Sequence, residues 1–466
     1  MEEVKKRSEN NVTRRRVTYM EEKNSEKKER KMRDSGIPWI GEVPEGWRVN
    51  KIKYHLTRNE IKNKPDKQVL SVYRDYGVIP KDSRDDNHNV TSEDTSKYKY
   101  VQKGDLVINK MKAWQGSLGV SKYEGIVSPA YYIYKFHDDS FDGKFFHYLI
   151  RGCYKDEFRR ISGGIREGQW DLSAEKFENT MIVIPPVSEQ HRIADFLDSE
   201  CSEIDALIEN LRSRMESAKE YKKAVITEAV TKGLDKDAKM KDSGVEWIGE
   251  IPEGWSFPKI THILDYTHPY PIGDGDHGSI KATDYTEYGI PFIRVQNLGF
   301  ATDLCLDNVV YISEAQNRTI QNSTLKPNDI LFAKTGATIG KVGIVPESIK
   351  KANTTSHVGK ITVSESIVPK YIFYVLSSNI GYRQFWDIAA QKSTRPELSI
   401  DEIKTIRVLL PKTKEEQQQI ADYLDSKCSE IDALLQNYED QIATLEEYKK
   451  SLIYEYVTGK KEVSAA

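Results

Sequence analysis

Two stretches of the chain carry apolar residues at alternating four- and three-residue steps. In the first they fall at Ile204, Ile208, Leu211, Met215, Ala218, Val225 and Ala229, with Lys222 at the remaining step. In the second they fall at Ile431, Leu435, Tyr438, Ile442, Leu445, Leu452 and Tyr456, with Lys449 at the matching step. This a/d spacing, held for nearly four heptads, predicts two long helices with exposed seams. The simplest partner for each seam is the other helix, giving a paired coil; the alternative is that each helix packs on its own globular half. From Ile204 to Ala229 such a helix spans on the order of 38 Å at 1.5 Å per residue, long enough to hold two globular blocks apart. Each helix follows a strand end that carries proline, Ile182–Pro186 and Val408–Pro411. Thr413 with Glu416 fits a capping box. Thr231-Lys232-Gly233 and Thr458-Gly459-Lys460 supply helix stops.

The matching helices belong to a longer internal repeat. Residues 32–47 (MRDSGIPWIGEVPEGW) and 240–255 (MKDSGVEWIGEIPEGW) agree at 12 of 16 positions, offset by 208. Residues 193–207 and 420–434 agree at 13 of 15, offset by 227. Between these segments the halves diverge, apart from an echo. Gly104-Asp105-Leu106-Val107 with Lys110, Gly116 and Gly119 answers Asn328-Asp329-Ile330-Leu331 with Lys334, Gly340 and Gly343. A repeated frame carrying two divergent blocks points to one shared job for the frame and a different one for each block.

Inside the blocks the texture is mixed α/β. Tyr131–Tyr134 and Ile290–Val295 read as strands, and Phe145–Arg151 and Tyr371–Leu376 as helices. Four loops mix bases, amides, hydroxyls and aromatics. The first runs from Asn109 through Lys110, Lys112, Trp114 and Gln115 to Gly116. The second carries Ser162, Arg166, Gln169 and Trp170; the third, Lys334, Thr335, Thr338 and Lys341; the fourth, Gln391, Lys392, Ser393, Thr394 and Arg395. Asp274 and His277 of a glycine-rich loop, with Arg294, Gln296 and Asn297, complete the candidates. Lysine and arginine suit phosphates and guanine edges, asparagine and glutamine suit adenine, and glycine admits a close backbone. One such loop is ordinary; four at matching places in two blocks point to an extended polyanion.

Composition narrows this further. The 466 residues carry a formal charge of −3 and 30% charged residues, which excludes a uniformly basic nucleic-acid binder but not local basic surfaces. No apolar run reaches membrane-spanning length, and MEEVKKRSENNVTRRR has no apolar stretch behind it, so a cytoplasmic protein is expected. Four scattered cysteines make a disulfide framework or a cysteine zinc site unexpected, and Cys201 and Cys428 read as small buried hydrophobes. Gly336–Lys341 is one residue short of a phosphate loop and has Val342 in place of the magnesium-binding hydroxyl. Asp274–Gly278 lacks the spacing of a calcium loop. No catalytic constellation and no metal site emerge. Residues 1–31 hold 11 Lys/Arg against 7 Asp/Glu and are expected to be a disordered basic extension.

Trp-Ile-Gly-x-x-Pro-x-Gly-Trp at 39–47 and 247–255, with Glu-Gln-x-x-Ile-Ala-Asp-aromatic-Leu-Asp at 189–198 and 416–425, resembles the specificity subunit of type I restriction–modification enzymes. The resemblance implies target-recognition domains at 32–184 and 234–409, and conserved spacer helices at 185–233 and 410–460 that form an antiparallel coiled coil with pseudo-twofold symmetry. It implies a non-catalytic reader of bipartite double-stranded DNA, partnered by two methyltransferase subunits and by restriction subunits. S-adenosylmethionine, ATP and magnesium would serve those partners, with no cofactor on this chain. Three other readings stay open: the recognition subunit of a related modification enzyme outside type I, a stand-alone nucleic-acid enzyme, and a purely structural coiled-coil adaptor.

Overall fold

The computed structural model describes residues 30–74, 76–83, 94–137, 141–164, 170–391 and 396–463. Residues 1–29 of the expected extension, and the candidates Arg166, Gln169, Lys392, Ser393, Thr394 and Arg395, lie outside the described residues. The chain forms two compact units. One takes the chain up to Glu209 together with Ile442 onward, and the other is Asn210–Gln441. The division falls inside both long helices, Val187–Lys232 and Lys414–Val457.

In the first unit the central sheet has four antiparallel strands in the order Leu56–Arg58, Tyr131–Phe136, Leu106–Asn109, Leu118–Val120. The second unit repeats that order with Ile272–Asp274, Val358–Ile361, Ile330–Ala333, Val342–Ile344. The sequence echo is the turn entering the third strand of each sheet. Gly104 (φ 94°) and Asn328 (φ 68°) both take the left-handed region, which glycine and asparagine tolerate. The next residue caps the turn: Asp105 accepts from Gln102 N at 2.9 Å, and Asp329 from Lys326 N at 3.0 Å. Helices Gly143–Cys153 and Pro369–Ser377 cover the expected segments. Strand Ile290–Ile293 stops short of Val295, which begins a 3-10 turn.

One expected element differs. Met181–Ile184 pairs with Arg48–Lys51 as a continuous ladder. Its counterpart near Val408–Leu410 forms only separate bridges, Ser256 to Leu410 and Lys259 to Arg407. Pro258 stands in the repeat where Asn50 lies in the first ladder, and proline has no N–H to donate.

The frame closes each unit in the same way. Hairpin Met32–Asp34/Glu42–Pro44 and hairpin Met240–Asp242/Glu250–Pro252 share one register. The tryptophan after each reaches the first turn of a long helix: Trp47 Nε1 donates to Glu189 at 3.1 Å, and Trp255 Nε1 to Glu416 at 2.9 Å. The expected capping box is therefore half made. Thr413 Oγ1 accepts from Glu416 N at 3.2 Å, but the Glu416 carboxylate is held by Trp255. Each helix ends at a glycine with φ 73°, Gly233 or Gly459.

The two helices pair antiparallel. In the first unit the Phe196 ring lies 4.5 Å from Tyr456, and Asp205 accepts from Lys449 at 2.6 Å. In the second, Lys222 donates to Asp432 at 2.7 Å. Ile204, Ile208, Met215, Val225, Ile431 and Leu452 are buried, and Leu211, Ala218, Leu435, Tyr438, Ile442 and Leu445 half-buried, so the seam lies on the read face. The helices also pack on the globular parts. Ile204, Ile208 and Leu452 share a core with Trp47 and Phe145, and Val225 and Cys428 share one with Trp255 and Tyr371. Paired coil and packing on the globular half, set apart in the sequence, coexist. Cys201 and Cys428 are free, buried thiols beside Tyr148 and Tyr374, and burial pushes both up, Cys201 to about 11.

Candidate nucleic-acid interface

One candidate loop in each unit leaves the same end of the equivalent strand, Leu106–Asn109 in the first and Ile330–Ala333 in the second. In the first unit, strand Leu106–Asn109 runs into a tight turn: Lys112 N donates to Asn109 O at 3.0 Å and Ser117 N to Lys112 O at 3.1 Å. Gly116, at φ 95°, closes the 3-10 turn Ala113–Gln115. Asn109 faces inward and donates to the Tyr131 hydroxyl at 3.3 Å. Lys110 bridges to Asp171 at 3.1 Å, and Trp114 meets Trp170 edge-on at 5.7 Å. Arg159 lies 5.9 Å over the Trp114 ring. The turn and Trp170 with Asp171, distant in sequence, thus form one surface. Lys112 is exposed on it and Gln115 half-buried. Ser162 is turned back onto its helix, donating to Phe158 O at 2.6 Å. Behind the turn, His147 accepts from Val120 N at 3.1 Å. Burial, then the nearby Arg151 charge, pushes its imidazole down to about 3.

In the second unit the equivalent turn follows Ala333. Lys334 is buried and forms an ion pair with Asp274, which His277 also reaches at 3.2 Å. Thr335 lies 3.3 Å from His357 Nδ1, and Thr338 donates to Thr335 O at 2.7 Å. Gly340 (φ 95°) matches Gly116, and Lys341 lies 5.9 Å from the Phe300 ring. Strand Val342–Ile344 follows, so the Gly336–Lys341 segment lacks the helix start of a phosphate loop. Arg294 is held by Asn308 O at 3.0 Å and lies 5.7 Å over Tyr285. Asn297 is buried, accepting from Arg294 N at 2.8 Å and donating to Cys305 O at 2.8 Å, whereas Gln296 is exposed. Gln391 is exposed and donates to Asp387 O at 3.1 Å. Asp276 caps its own loop, taking the amides of Gly278 and Ile280 at 3.0 and 3.1 Å. Burial pushes its carboxyl up, but Ser279 and these amides leave it below the usual range.

The candidates therefore fall into two sets. Asn109, Asn297, Lys334 and Thr335 point into the fold, while Lys112, His277, Gln296 and Gln391 are exposed and Lys341 half-exposed. Sequence reasoning missed Asp171, Arg159 and Phe300, because only the fold brings them beside the turns. Among the described residues, no group of three or more His, Cys, Asp or Glu is arranged to hold a metal ion. Nor is any helix there long and apolar enough to cross a membrane.

Two copies of one antiparallel sheet, each with differently composed loops at the same strand end and tied to paired helices, define an internally duplicated α/β binding scaffold. The chain belongs to the family of the type I restriction modification DNA specificity domain, whose sequence model matches residues 44–216 and 254–444. It is similar to the MjaVIII type I restriction enzyme specificity subunit of Methanocaldococcus jannaschii, 28% identical over 288 residues, or 61% of this chain and 63% of that one. It is also similar to the EcoBI specificity subunit of Escherichia coli, 26% identical over 329 residues, 69% of this chain and 66% of that one. Both matches span just under two thirds of the relative's length. A chain from the structure of a type I R-M system, solved to explain its complex assembly and conformational transition, superposes with a TM-score of 0.63. The identity is 15%, over 90% of this chain and 99% of that one, a likeness of fold.

Proposed function

We propose that this chain is the DNA-reading, non-catalytic specificity subunit of a type I restriction–modification complex. The observation that carries this is the pair of equivalent strand ends, Asn109–Gly116 and Lys334–Lys341, which present different side chains from one repeated sheet. One repeated scaffold with two different loop sets suits a target split into two unlike halves. Residues 32–184 would read one half and 234–409 the other, with the helices of 185–233 and 410–460 as spacer. Exposed Lys112 and half-exposed Lys341 would hold phosphates, and Gln296, Gln391 and Gln115 would read base edges. Two methyltransferase subunits would bring S-adenosylmethionine, and restriction subunits ATP and magnesium, in the cytoplasm.

The test is co-expression with the methyltransferase subunit, followed by methylome sequencing. The reading expects one motif of two short half-sites with a non-specific gap between them. A continuous motif would overturn it. The chain alone, assayed with S-adenosylmethionine and DNA, should transfer no methyl groups.

A further inference from the structure

The two copies of the frame differ at one place where the first is filled and the second open. In the first unit, Tyr456 near the end of the long helix packs against Phe196, the rings tilted by 40° with centroids 4.5 Å apart. Just beyond it, Lys460 donates to Ile40 O at 3.1 Å, and Lys461 pairs with Glu455 at 2.8 Å. In the second copy the 227-residue offset puts Ala229 in place of Tyr456 and Tyr423 in place of Phe196. Among the described residues no ring pairs with Tyr423, which is 39% exposed beside Tyr221 at 61% and Leu234 at 42%. These side chains, with Ala229, Ile248 and Glu228, line a cleft of about 950 Å³. Among the described residues, the Ile248 carbonyl meets no lysine and Glu228 forms no ion pair, unlike their counterparts Ile40 and Glu455.

The filled copy shows what the open one is shaped to take. An aromatic ring is missing over Tyr423, and so are two cations, one for a carbonyl and one for a carboxylate. Glu228, Asp235 and Glu250 on the lining outnumber its two cations, Lys232 and Lys236, so the cleft keeps a net negative charge. Three large apolar side chains exposed around one concavity are the mark of a docking surface. We propose that the cleft beside Ala229 docks a partner-protein segment carrying a tyrosine or phenylalanine followed by lysine or arginine. This rests on the reading that the chain works in an assembly, and it names the chemistry of one contact in that assembly.

A labelled peptide with the sequence of residues 454–461, YEYVTGKK, is the probe, titrated against the full chain by fluorescence anisotropy. Saturable binding below about 1 mM is expected. Ala229→Tyr, which copies the filled half, should fold with an unchanged or raised Tm and weaken the peptide at least tenfold. Should that variant not fold, Glu228→Lys decides: it should weaken the peptide, and a peptide with both lysines changed to glutamate should recover binding. No saturation by about 1 mM, or equal binding to Ala229→Tyr, would overturn the proposal. So would self-association of the chain that Ala229→Tyr abolishes, since a second copy would then own the cleft. Peptide binding without a split DNA motif sinks the functional reading and keeps this one; a split motif without peptide binding does the reverse.

Discussion

Lys112 and Lys334 belong to the same kind of turn, yet only one is exposed. The Lys334 ammonium lies inside the fold against Asp274, while Lys112 is exposed. Lys334→Ala would leave the largely buried Asp274 carboxylate with only its contact to exposed His277, at a cost of about 3 kcal/mol, readable as a lower denaturant midpoint. Lys112→Ala should leave stability unchanged and weaken all DNAs alike, with a shallower dependence on salt. His147 gives a pH prediction. Its folded value of about 3 lies below the ordinary 6.5, so between those pH values the unfolded chain binds the extra proton. Stability from this group is full above pH 6.5 and drains away as pH falls toward 3. His147→Gln should make stability less steep over that window, by up to about 1.4 kcal/mol per pH unit. Residue types in the loops were legible from sequence, but direction was not. Whether a lysine after a strand faces solvent or an internal aspartate depends on what the next strands bring, and Asp274 lies far away in the chain.

The long helices were the most legible elements, because a heptad seam needs only spacing to be read. The partners of its two lysines were not. Asp205 and Asp432 sit at equivalent places in the repeat, and only antiparallel pairing carries them to Lys449 and Lys222. The two kinds of seam contact should differ in weight. Ile208→Ala removes buried methyls from a core shared with the globular part and should cost about 2–4 kcal/mol in thermal or urea unfolding. Lys449→Ala removes a partly exposed pair and should cost less than about 1 kcal/mol. Equal losses would mean that the charges, not the apolar seam, hold the helices. The broken ladder at Val408–Leu410 was less legible. Its own residues read as a strand, and the obstacle, Pro258, lies in the partner segment.

For the whole molecule, the duplication was plain from sequence, and it gave the frame, the two blocks and the matching turns. Where the compact units divide was not plain. The division falls within the helices because each half-helix buries its seam into the core of one unit, so helix and globular part count together. The central claim is that each copy of the repeated sheet reads its own half of one split DNA target. Its most direct test exchanges residues 48–184 for the equivalent block of a relative, leaving the frame and the second block untouched. The exchanged chain is then expressed with the methyltransferase subunit for methylome sequencing. One half of the methylated motif should change, with the other half kept base for base. Change in both halves, or in neither while methylation persists, would contradict the claim.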